Sequence, residues 1–423
     1  MKKYLLKKTM VIGIILLLIG TFYLPTISSE NVKIKNENTS LDRSKDGIWW
    51  HRMKIKINHN MVAGDLNNFP ILISIESSHL GKKAQSDGDD IVFTESFNVK
   101  DILNHEIELF DSSSGKLVSW VKIPFLSSTQ DTVIYMHYGN SKCGNQQSPE
   151  MVWDDNFTAV YHLDGVNYLD IKDSTSNNLD VVEKQGYPTF QASGKIGLCV
   201  DFDEASLNVD DNDLLSFTDG SNNDKPLTIE TWVKYYSAGG GNNGIISKYA
   251  NMKREWLLRK AGDDKCELYL CDDSIASTIW RKSSSNVNVN NMGWSYIAAS
   301  YGGFENGNDI SIILDGTVNN GETWTGNYHG MENLNEKMRI GAHHSHVNGW
   351  SYWQGLIDEV RISNIVRSPE WLQTSYNTMN EPSSFIKAMN IKIRSVDEAS
   401  PILNIFENHP LLFPIFKLLL QLL

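Results

Sequence analysis

The stretch FPILISIES, residues 69–77, places apolar side chains at every second position, which is the period of a half-buried β-strand. The apolar positions are Phe69, Ile71, Ile73 and Ile75. The same alternation occurs in MKIKI at 53–57, in WVKI at 120–123 and in TVIYMHY at 132–138. Clusters of Ser, Gly and Asp separate these segments, and no apolar stripe of three helical turns interrupts them. The pattern predicts a small β-sandwich.

A second block of strand-like segments follows from about Met151. Its segments are TAVYHL (158–163), LTIETWVKYY (227–236), WSYIAASY (294–301), DISIILDG (309–316) and GLIDEVRIS (355–363). Asp315-Gly316 is typical of a hairpin turn. One short helix is predicted in SPEWLQTSYN, with Ser368 as N-cap and Pro369 at its first position. The block therefore predicts a jelly roll of two antiparallel sheets, and the chain as a whole is expected to be all-β.

The N-terminus has the layout of an export signal. Basic residues in MKKYLLKK precede an uncharged run from Thr9 to Leu24, and Pro25 ends that run. We expect residues 1–29 to be a signal peptide, with an uncleaved N-terminal anchor as the alternative. Both interpretations place the rest of the chain outside the cell or on its surface. Residues 30–46 are polar and without periodicity, which is typical of a linker.

The C-terminal residues 388–423 are predicted to be a linker followed by an apolar tail. The tail ends in FPIFKLLLQLL, and Pro410 and Pro414 interrupt it. It is too broken for a good transmembrane helix. It could attach to a membrane surface or a partner, or pack as a short helix on its own protein.

Charge and cysteine content exclude several classes. Asp plus Glu outnumber Lys plus Arg by 51 to 38, which gives a net charge of −13. Nucleic acid is therefore not an expected partner, because phosphate contacts need clustered basic side chains. Cys266 and Cys271 lie five residues apart in one predicted strand, on opposite faces, so we expect no disulfide between them.

Two families are recognisable from longer segments. WWHRMKIKINHNMVAGDLNNFPILISI (49–75) and NHEIELFDSSSGKLVSWVKIPFLSSTQDTVIYMHYGN (104–140) closely resemble the DUF2341 domain, expected here over 47–145. VWDDNFTAVYHLDG (152–165), GLIDEVRIS and SPEWLQTSYNTMNEPSSF (368–385) resemble laminin-G-like, concanavalin A-like jelly rolls, expected over 146–387. The resemblance implies a secreted or cell-surface protein with a binding or adhesive role, often toward carbohydrate. The family usually continues its Phe-Asp with Gly and a short acidic turn. In this chain Glu204-Ala205-Ser206 follows Asp203 instead, so a ligand-binding role of that loop is not carried over to this chain.

A structural Ca²⁺ is one expectation. In GLIDEVRIS, period two puts Asp358 on the face of Leu356, Val360 and Ile362, and a buried acid needs a partner. Related jelly rolls often hold calcium between their first and last strands, which by resemblance would pair Asp358 with Asp164. The alternative is that Asp358 accepts hydrogen bonds from a turn backbone.

Catalytic motifs are not found in the sequence. Glycoside hydrolases on concanavalin-like folds need two carboxylates aimed at one bond, commonly in a Glu-x-Asp-x-x-Glu run, and the jelly-roll segment has none. Glu106 and Glu108 share a strand face, but they belong to the first module and are expected to be solvated.

Two aromatic clusters are candidate glycan sites, because sugars stack on flat rings beside polar groups. One lies in ETWTGNYHG, with Trp324, Tyr328 and His329. The other lies in AHHSHVNGWSYWQG; its members are His343, His344, His346, Trp350, Tyr352 and Trp353. Trp324, Tyr328, His344, Trp350 and Tyr352 are the predicted ligand-binding residues. Packing on the sandwich rim is the alternative, and the three histidines could also bind a transition metal.

These observations predict a non-catalytic extracellular binding or adhesion protein whose jelly roll recognises carbohydrate or another cell-surface polymer. A polysaccharide-active enzyme and a structural component of the cell envelope are the alternatives.

Overall fold

The computed structural model describes residues 49–390 apart from 222, 237–240, 274–278, 290–292, 304–308, 325–326 and 346–348. The predicted signal, the linker at 30–46 and the tail beyond residue 390 lie outside the described residues. Within them, no helix is long and apolar enough to cross a membrane.

The first module is a sandwich of a five-stranded and a three-stranded sheet. The five-stranded sheet has the order β26-β1-β7-β3-β4; its strands are β1 (His51–Ile57), β3 (Val92–Thr94), β4 (Ile102–Leu103), β7 (Thr132–Tyr138) and β26 (Ile386–Asn390). The three-stranded sheet has the order β2-β6-β5; its strands are β2 (Leu66–Glu76), β5 (His105–Asp111) and β6 (Lys116–Leu126). The predicted FPILISIES strand is the greater part of β2, and a short helix α1 (Ser78–Lys83) follows it.

The second module packs two eight-stranded antiparallel sheets. We name the one that faces the first module the proximal sheet. Its order is β10-β11-β25-β13-β18-β19-β20, with β8 also paired to β25; the strands are β8 (Phe157–Tyr161), β10 (Thr189–Ser193), β11 (Leu198–Asp203), β13 (Leu227–Tyr235), β18 (Trp294–Tyr301), β19 (Ile310–Leu314), β20 (Thr317–Val318) and β25 (Gln354–Ser363).

We name the other the distal sheet. Its order is β21-β17-β16-β15-β14-β22-β12-β9; the strands are β9 (Val181–Gln185), β12 (Ser206–Val209), β14 (Asn243–Ala250), β15 (Lys253–Lys260), β16 (Lys265–Asp272), β17 (Ile279–Asn288), β21 (Asn320–Trp324) and β22 (Met338–Ile340). A separate hairpin, β23 (Ala342–Ser345) with β24 (Gly349–Tyr352), lies against β14. The helices of this module are α2 (Pro149–Val152), α3 (Pro369–Asn380) and α4 (Pro382–Phe385).

Local sequence signals account for several of these elements. Ser368 Oγ accepts a hydrogen bond from the Trp371 N–H at 3.2 Å, and Pro369 begins α3, as predicted. Asp315 and Gly316 join β19 to β20 with φ of 47° and 75°, the left-handed conformation that this hairpin turn requires. The predicted all-β class and the jelly roll are therefore confirmed.

Two large hydrophobic cores hold the described residues together. One fills the space between the proximal and distal sheets, with Trp256 and Ile297 among its buried members. The other is continuous from the first module to the opposite face of the proximal sheet, so that Phe69, Trp371 and Trp232 belong to a single cluster. The two modules therefore share buried surface and behave as one packed body.

The end of the described chain returns to the first module. β26 adds to the edge of β1, with Ile55 opposite Ala388. Helix α3 lies along the open edge of β2, where Thr378 Oγ1 accepts a hydrogen bond from the Leu72 N–H at 3.1 Å. The predicted boundary after residue 387 thus falls inside a strand that completes the first sandwich.

Candidate functional site

The distal sheet carries one lateral row of side chains that point away from the core. Strand register aligns one residue from each of its eight strands; in order these are Glu183, Asn208, Arg339, Ser247, Leu257, Tyr269, Lys282 and Trp324. With about 4.8 Å between strands, the row is roughly 34 Å long. The register therefore puts Trp324 on the same sheet face as Arg339, which lies beneath the second predicted aromatic cluster.

A polar cleft with a volume of about 380 Å³ lies at the Trp324 end of this row. Its lining comprises Asp263, Lys265, Glu267, Lys282, Ser284, Glu322, Thr323 and Trp324. Trp324 is 46% exposed at the edge strand β21. The cleft thus combines a large apolar ring with hydroxyl, amine and carboxylate groups.

An ion network fixes the floor of this cleft. Glu267 accepts hydrogen bonds from Arg259 Nη2 at 2.8 Å and from Lys282 Nζ at 2.7 Å. The Arg259 guanidinium lies 4.2 Å from the centre of the Tyr269 ring, and the Lys282 amine lies 5.3 Å from it. These contacts hold the polar groups in place before any ligand arrives, which lowers the entropy cost of binding.

The second aromatic cluster sits on the β23–β24 hairpin. His344 is opposite Trp350 in the ladder, and their rings meet edge to face at 4.8 Å. Trp350 stacks on Tyr352 at 6.0 Å, and the Arg339 guanidinium lies 5.1 Å from the Trp350 ring. The structure thus brings together three predicted residues, about five strand spacings, or roughly 24 Å, from Trp324.

The hairpin separates the two ends of the face. Ser247 Oγ donates a hydrogen bond to the Ala342 carbonyl at 2.8 Å, and both Ser247 and Leu257 are buried. His343 faces inward and is 2% exposed, while burial and the nearby Arg259 lower its pKa to about 3. Because adjacent residues of a strand point to opposite faces, His343 and His344 do not converge on one metal. His346 lies outside the described residues.

Tyr328 is not part of this surface. Its ring packs against the jelly-roll core, and its hydroxyl donates a hydrogen bond to Asp224. His329 lies beside it, with Nδ1 3.2 Å from Asp272 Oδ2. Spacing alone could not separate Tyr328 from Trp324, because only the fold shows which ring turns inward.

Asp358 is buried, but on a different face from the predicted one. A bulge at Glu359, with φ of 51°, breaks the alternation of β25, so Ile357, Val360 and Ile362 face the core while Asp358 faces the first module. Its Oδ2 accepts a hydrogen bond from the Ile196 N–H at 2.9 Å, which fits the turn-backbone alternative.

Asp164 lies near the same group of charges. Burial raises its pKa, and the charge of His162 acts on both Asp164 and Asp358. Calcium at this pair stays a prediction.

Glu106 and Glu108 are not solvated, and this expectation was wrong. Glu106 accepts hydrogen bonds from Ser174 Oγ at 2.6 Å and from Trp153 Nε1 at 3.0 Å, and the Glu108 side chain is 0% exposed. The face of β5 that carries both acids is covered by the second module. Periodicity identified their shared face correctly, but it could not show that another module packs on it.

Two family models match the chain. The DUF2341 model, a domain of unknown function, matches residues 87–178, and a model described as the concanavalin A-like lectin/glucanases superfamily matches residues 209–373. The two models thus match successive parts of the chain, DUF2341 first and the concanavalin A-like model second, in the order predicted. A comparison with curated proteins gave no match.

Several solved structures are similar to part of this chain at low sequence identity. Domain 4 of AbnA, an extracellular GH43 arabinanase from Geobacillus stearothermophilus solved with arabinotriose, is 18% identical with a TM-score of 0.38; the match covers 52% of this chain and 98% of that one. The binding domain of Paraclostridial Mosquitocidal Protein 1 is 14% identical with a TM-score of 0.40, covering 53% and 52%. The botulinum neurotoxin serotype D binding domain is 10% identical with a TM-score of 0.38, covering 54% and 52%. The match thus spans about half the length of the toxin domains.

Proposed function

We propose that this chain is a secreted or cell-surface binding protein that recognises carbohydrate, or another polymer rich in hydroxyl groups, through the distal sheet. The observation that carries the proposal is the exposed Trp324 ring at the rim of the polar cleft. Export rests on the predicted signal in residues 1–29. The Trp350 hairpin provides a second platform on the same face.

The chemistry of the cleft suits a sugar ring. The C–H face of a sugar packs on an indole, while its hydroxyl groups exchange hydrogen bonds with charged and hydroxyl side chains. Ser284 and Thr323 provide hydroxyls, Lys282 an amine donor, and Glu322 a carboxylate acceptor. Charge-assisted hydrogen bonds of this kind are stronger than those between neutral groups.

Glu267, one of three carboxylates that line the cleft, is not free to act as a catalytic acid or nucleophile. Both of its oxygens are held by cations, one by Arg259 and the other by Lys282. A carboxylate held in this way is a poor proton donor and a poor nucleophile. A glycosidase on this face would need two carboxylates free to act on one bond.

The experiment is a glycan-array screen of the purified chain, followed by titration of each glycan that binds. Trp324→Ala should weaken binding at least about fivefold, because a well-placed aromatic contact contributes about 1 kcal/mol. Trp350→Ala measures the contribution of the second platform. Trp50→Ala is the matched control, since Trp50 is 56% exposed but belongs to the first module. Binding unchanged in both Trp324→Ala and Trp350→Ala would refute the assignment of this face.

A further inference from the structure

Three potential metal ligands from both modules meet in the buried interface between them. Glu108 lies on β5, His162 follows β8, and Glu359 lies at the β25 bulge; one ligand atom from each lies within 4.8 Å of the others. Their side chains are 0%, 5% and 0% exposed. His162 Nδ1 is 2.7 Å from Glu359 Oε1 and 3.7 Å from Glu108 Oε2.

One oxygen in this group lacks a partner. Glu108 Oε1 is buried, and among the described residues no donor lies within hydrogen-bond distance of it. A buried carboxylate oxygen without a partner is costly unless a proton or a cation satisfies it. The β10–β11 turn approaches this atom at Gly197, where an added Cβ would lie 2.2 Å from Oε1.

Each of the three side chains is held by a further partner. Glu106 Oε2 lies 3.3 Å from His162 Nε2, so a proton on Nε2 leaves the Nδ1 lone pair pointing toward Glu108 and Glu359. Arg361 Nη2 donates to Glu359 Oε2 at 2.6 Å, which leaves Oε1 directed at His162. Trp120 Nε1 donates to Glu108 Oε2 at 3.1 Å.

The surrounding charge favours a cation. The acids that act on one another in this interface are Glu106, Glu108, Asp164, Asp358 and Glu359. Against them stands the Arg361 guanidinium, because His162 is neutral when its Nδ1 binds a metal. A divalent ion would offset this excess of buried carboxylates.

We propose that Glu108, His162 and Glu359 bind one divalent transition-metal ion of the Zn²⁺ type, which links the DUF2341 domain to the concanavalin A-like domain. One imidazole with carboxylates suits such an ion, whereas Ca²⁺ takes six to eight oxygen ligands. Donors on a tetrahedral zinc are roughly 3.4 Å apart, so binding requires the side chains to move by about 1 Å or less. The site is separate from the distal sheet and does not depend on the proposed glycan binding.

A turn separates the buried ligands from a cleft at the surface. A cleft of about 220 Å³ opens over the turn that contains Gly194, Ile196 and Gly197. On its buried side this turn contacts two acids: the Ile196 N–H donates a hydrogen bond to Asp358, and Gly197 lies next to Glu108. Opening of this turn would let an ion reach the buried ligands.

The test uses the full chain, stripped with chelator and then dialysed against Zn²⁺, Mn²⁺ or Ca²⁺, with bound metal measured by mass spectrometry. We expect one equivalent of Zn²⁺ and at least a tenfold loss of affinity in Glu108→Gln. Glu106→Gln, which removes the carboxylate beside His162 Nε2 but leaves the three proposed ligands in place, should weaken binding roughly 10- to 100-fold. Glu322→Gln and His344→Ala, on the distal side, control for weak binding at surface acids and histidines and should leave the Zn²⁺ affinity unchanged. No bound metal, Ca²⁺ alone, or full retention of Zn²⁺ in Glu108→Gln would each overturn the proposal.

A second measurement keeps the test valid if the variants fold poorly. X-ray absorption at the zinc edge of the wild-type protein should show one imidazole nitrogen with oxygen ligands. Zinc surrounded by sulfur, or by oxygen without imidazole, would overturn the proposal without any variant. Unfolding of Glu108→Gln in chelator gives the fold control; its stability should match or exceed the wild type, because the amide carries no buried charge.

Discussion

Replacing Thr378 by valine keeps the shape of the side chain and removes one buried hydroxyl. In the wild type this hydroxyl accepts a hydrogen bond from the Leu72 N–H at 3.1 Å, at the β2 edge opposite β6. Both residues are 0% exposed, so water does not replace the lost partner. A buried N–H without a partner costs about 1 to 3 kcal/mol, and we expect Thr378→Val to lower the free energy of unfolding by that amount.

The assay is urea unfolding followed by tryptophan fluorescence, with Thr189→Val as control because Thr189 is exposed on β10. The control should stay within about 0.5 kcal/mol of the wild type. Since α3 and β2 belong to one hydrophobic cluster, the variant should shift a single transition that includes both domains. A change under about 0.5 kcal/mol, or a shift confined to one of two separate transitions, would refute the shared-core interpretation.

Three further predictions concern other parts of the fold. In urea titrations, a chain ending at Phe385 should have a free energy of unfolding at least about 2 kcal/mol lower than one ending at Asn390, because it lacks β26 and the buried Ile386. Equal stability would contradict the role of β26. Gly197→Ala should lower the free energy of unfolding clearly more than Gly220→Ala. Both glycines have positive φ, which costs an alanine about 1 kcal/mol, but only at Gly197 would the added methyl group also meet Glu108. Equal losses in the same titration would argue against that contact. The pKa of His343 is about 3 in the folded chain and near 6.5 in the unfolded chain, so the unfolded chain binds more protons between these two pH values. The free energy of unfolding should therefore fall by about 2 kcal/mol from pH 7 to pH 5. His343→Gln should remove this pH-dependent loss.

The regular elements follow from local sequence signals. Alternating Phe69, Ile71 and Ile73 predicted β2 because the period of a strand is two, although Leu72 on the opposite face is buried as well. Ser368 and Pro369 predicted the start of α3 because they satisfy and preorganise the first turn of a helix. These signals act within a few residues, so the sequence expresses them directly.

The functional groups depend on contacts between distant segments, which periodicity does not contain. The bulge at Glu359 breaks the alternation of β25, so Asp358 lies on the face opposite to Val360 and Ile362. Nothing in GLIDEVRIS marks this bulge. Glu106 is 56 residues from His162 in the chain, and the packing of one module on the other brings them together. A shared strand face for Glu106 and Glu108 was the one available signal, and it acquires meaning only once that packing is known.

The distal face was only partly predictable. Trp324 and Trp350 were selected as aromatic rings near turns. Strand register places Trp324 on the same face of the distal sheet as Arg339, and the Arg339 guanidinium lies 5.1 Å from the Trp350 ring. Tyr328 was selected by the same reasoning, yet its hydroxyl is bound to Asp224 inside the fold. An aromatic residue near a turn therefore indicates a rim position, and only the direction of its ring decides between packing and binding.

The most direct test of the proposed binding face is a crystal structure of the chain with a glycan found by array. We expect a sugar ring against Trp324, with hydroxyl groups within hydrogen-bond distance of Lys282 or Glu322. A glycan bound on the first module or along the proximal sheet, with the Trp324 cleft open to solvent, would contradict it.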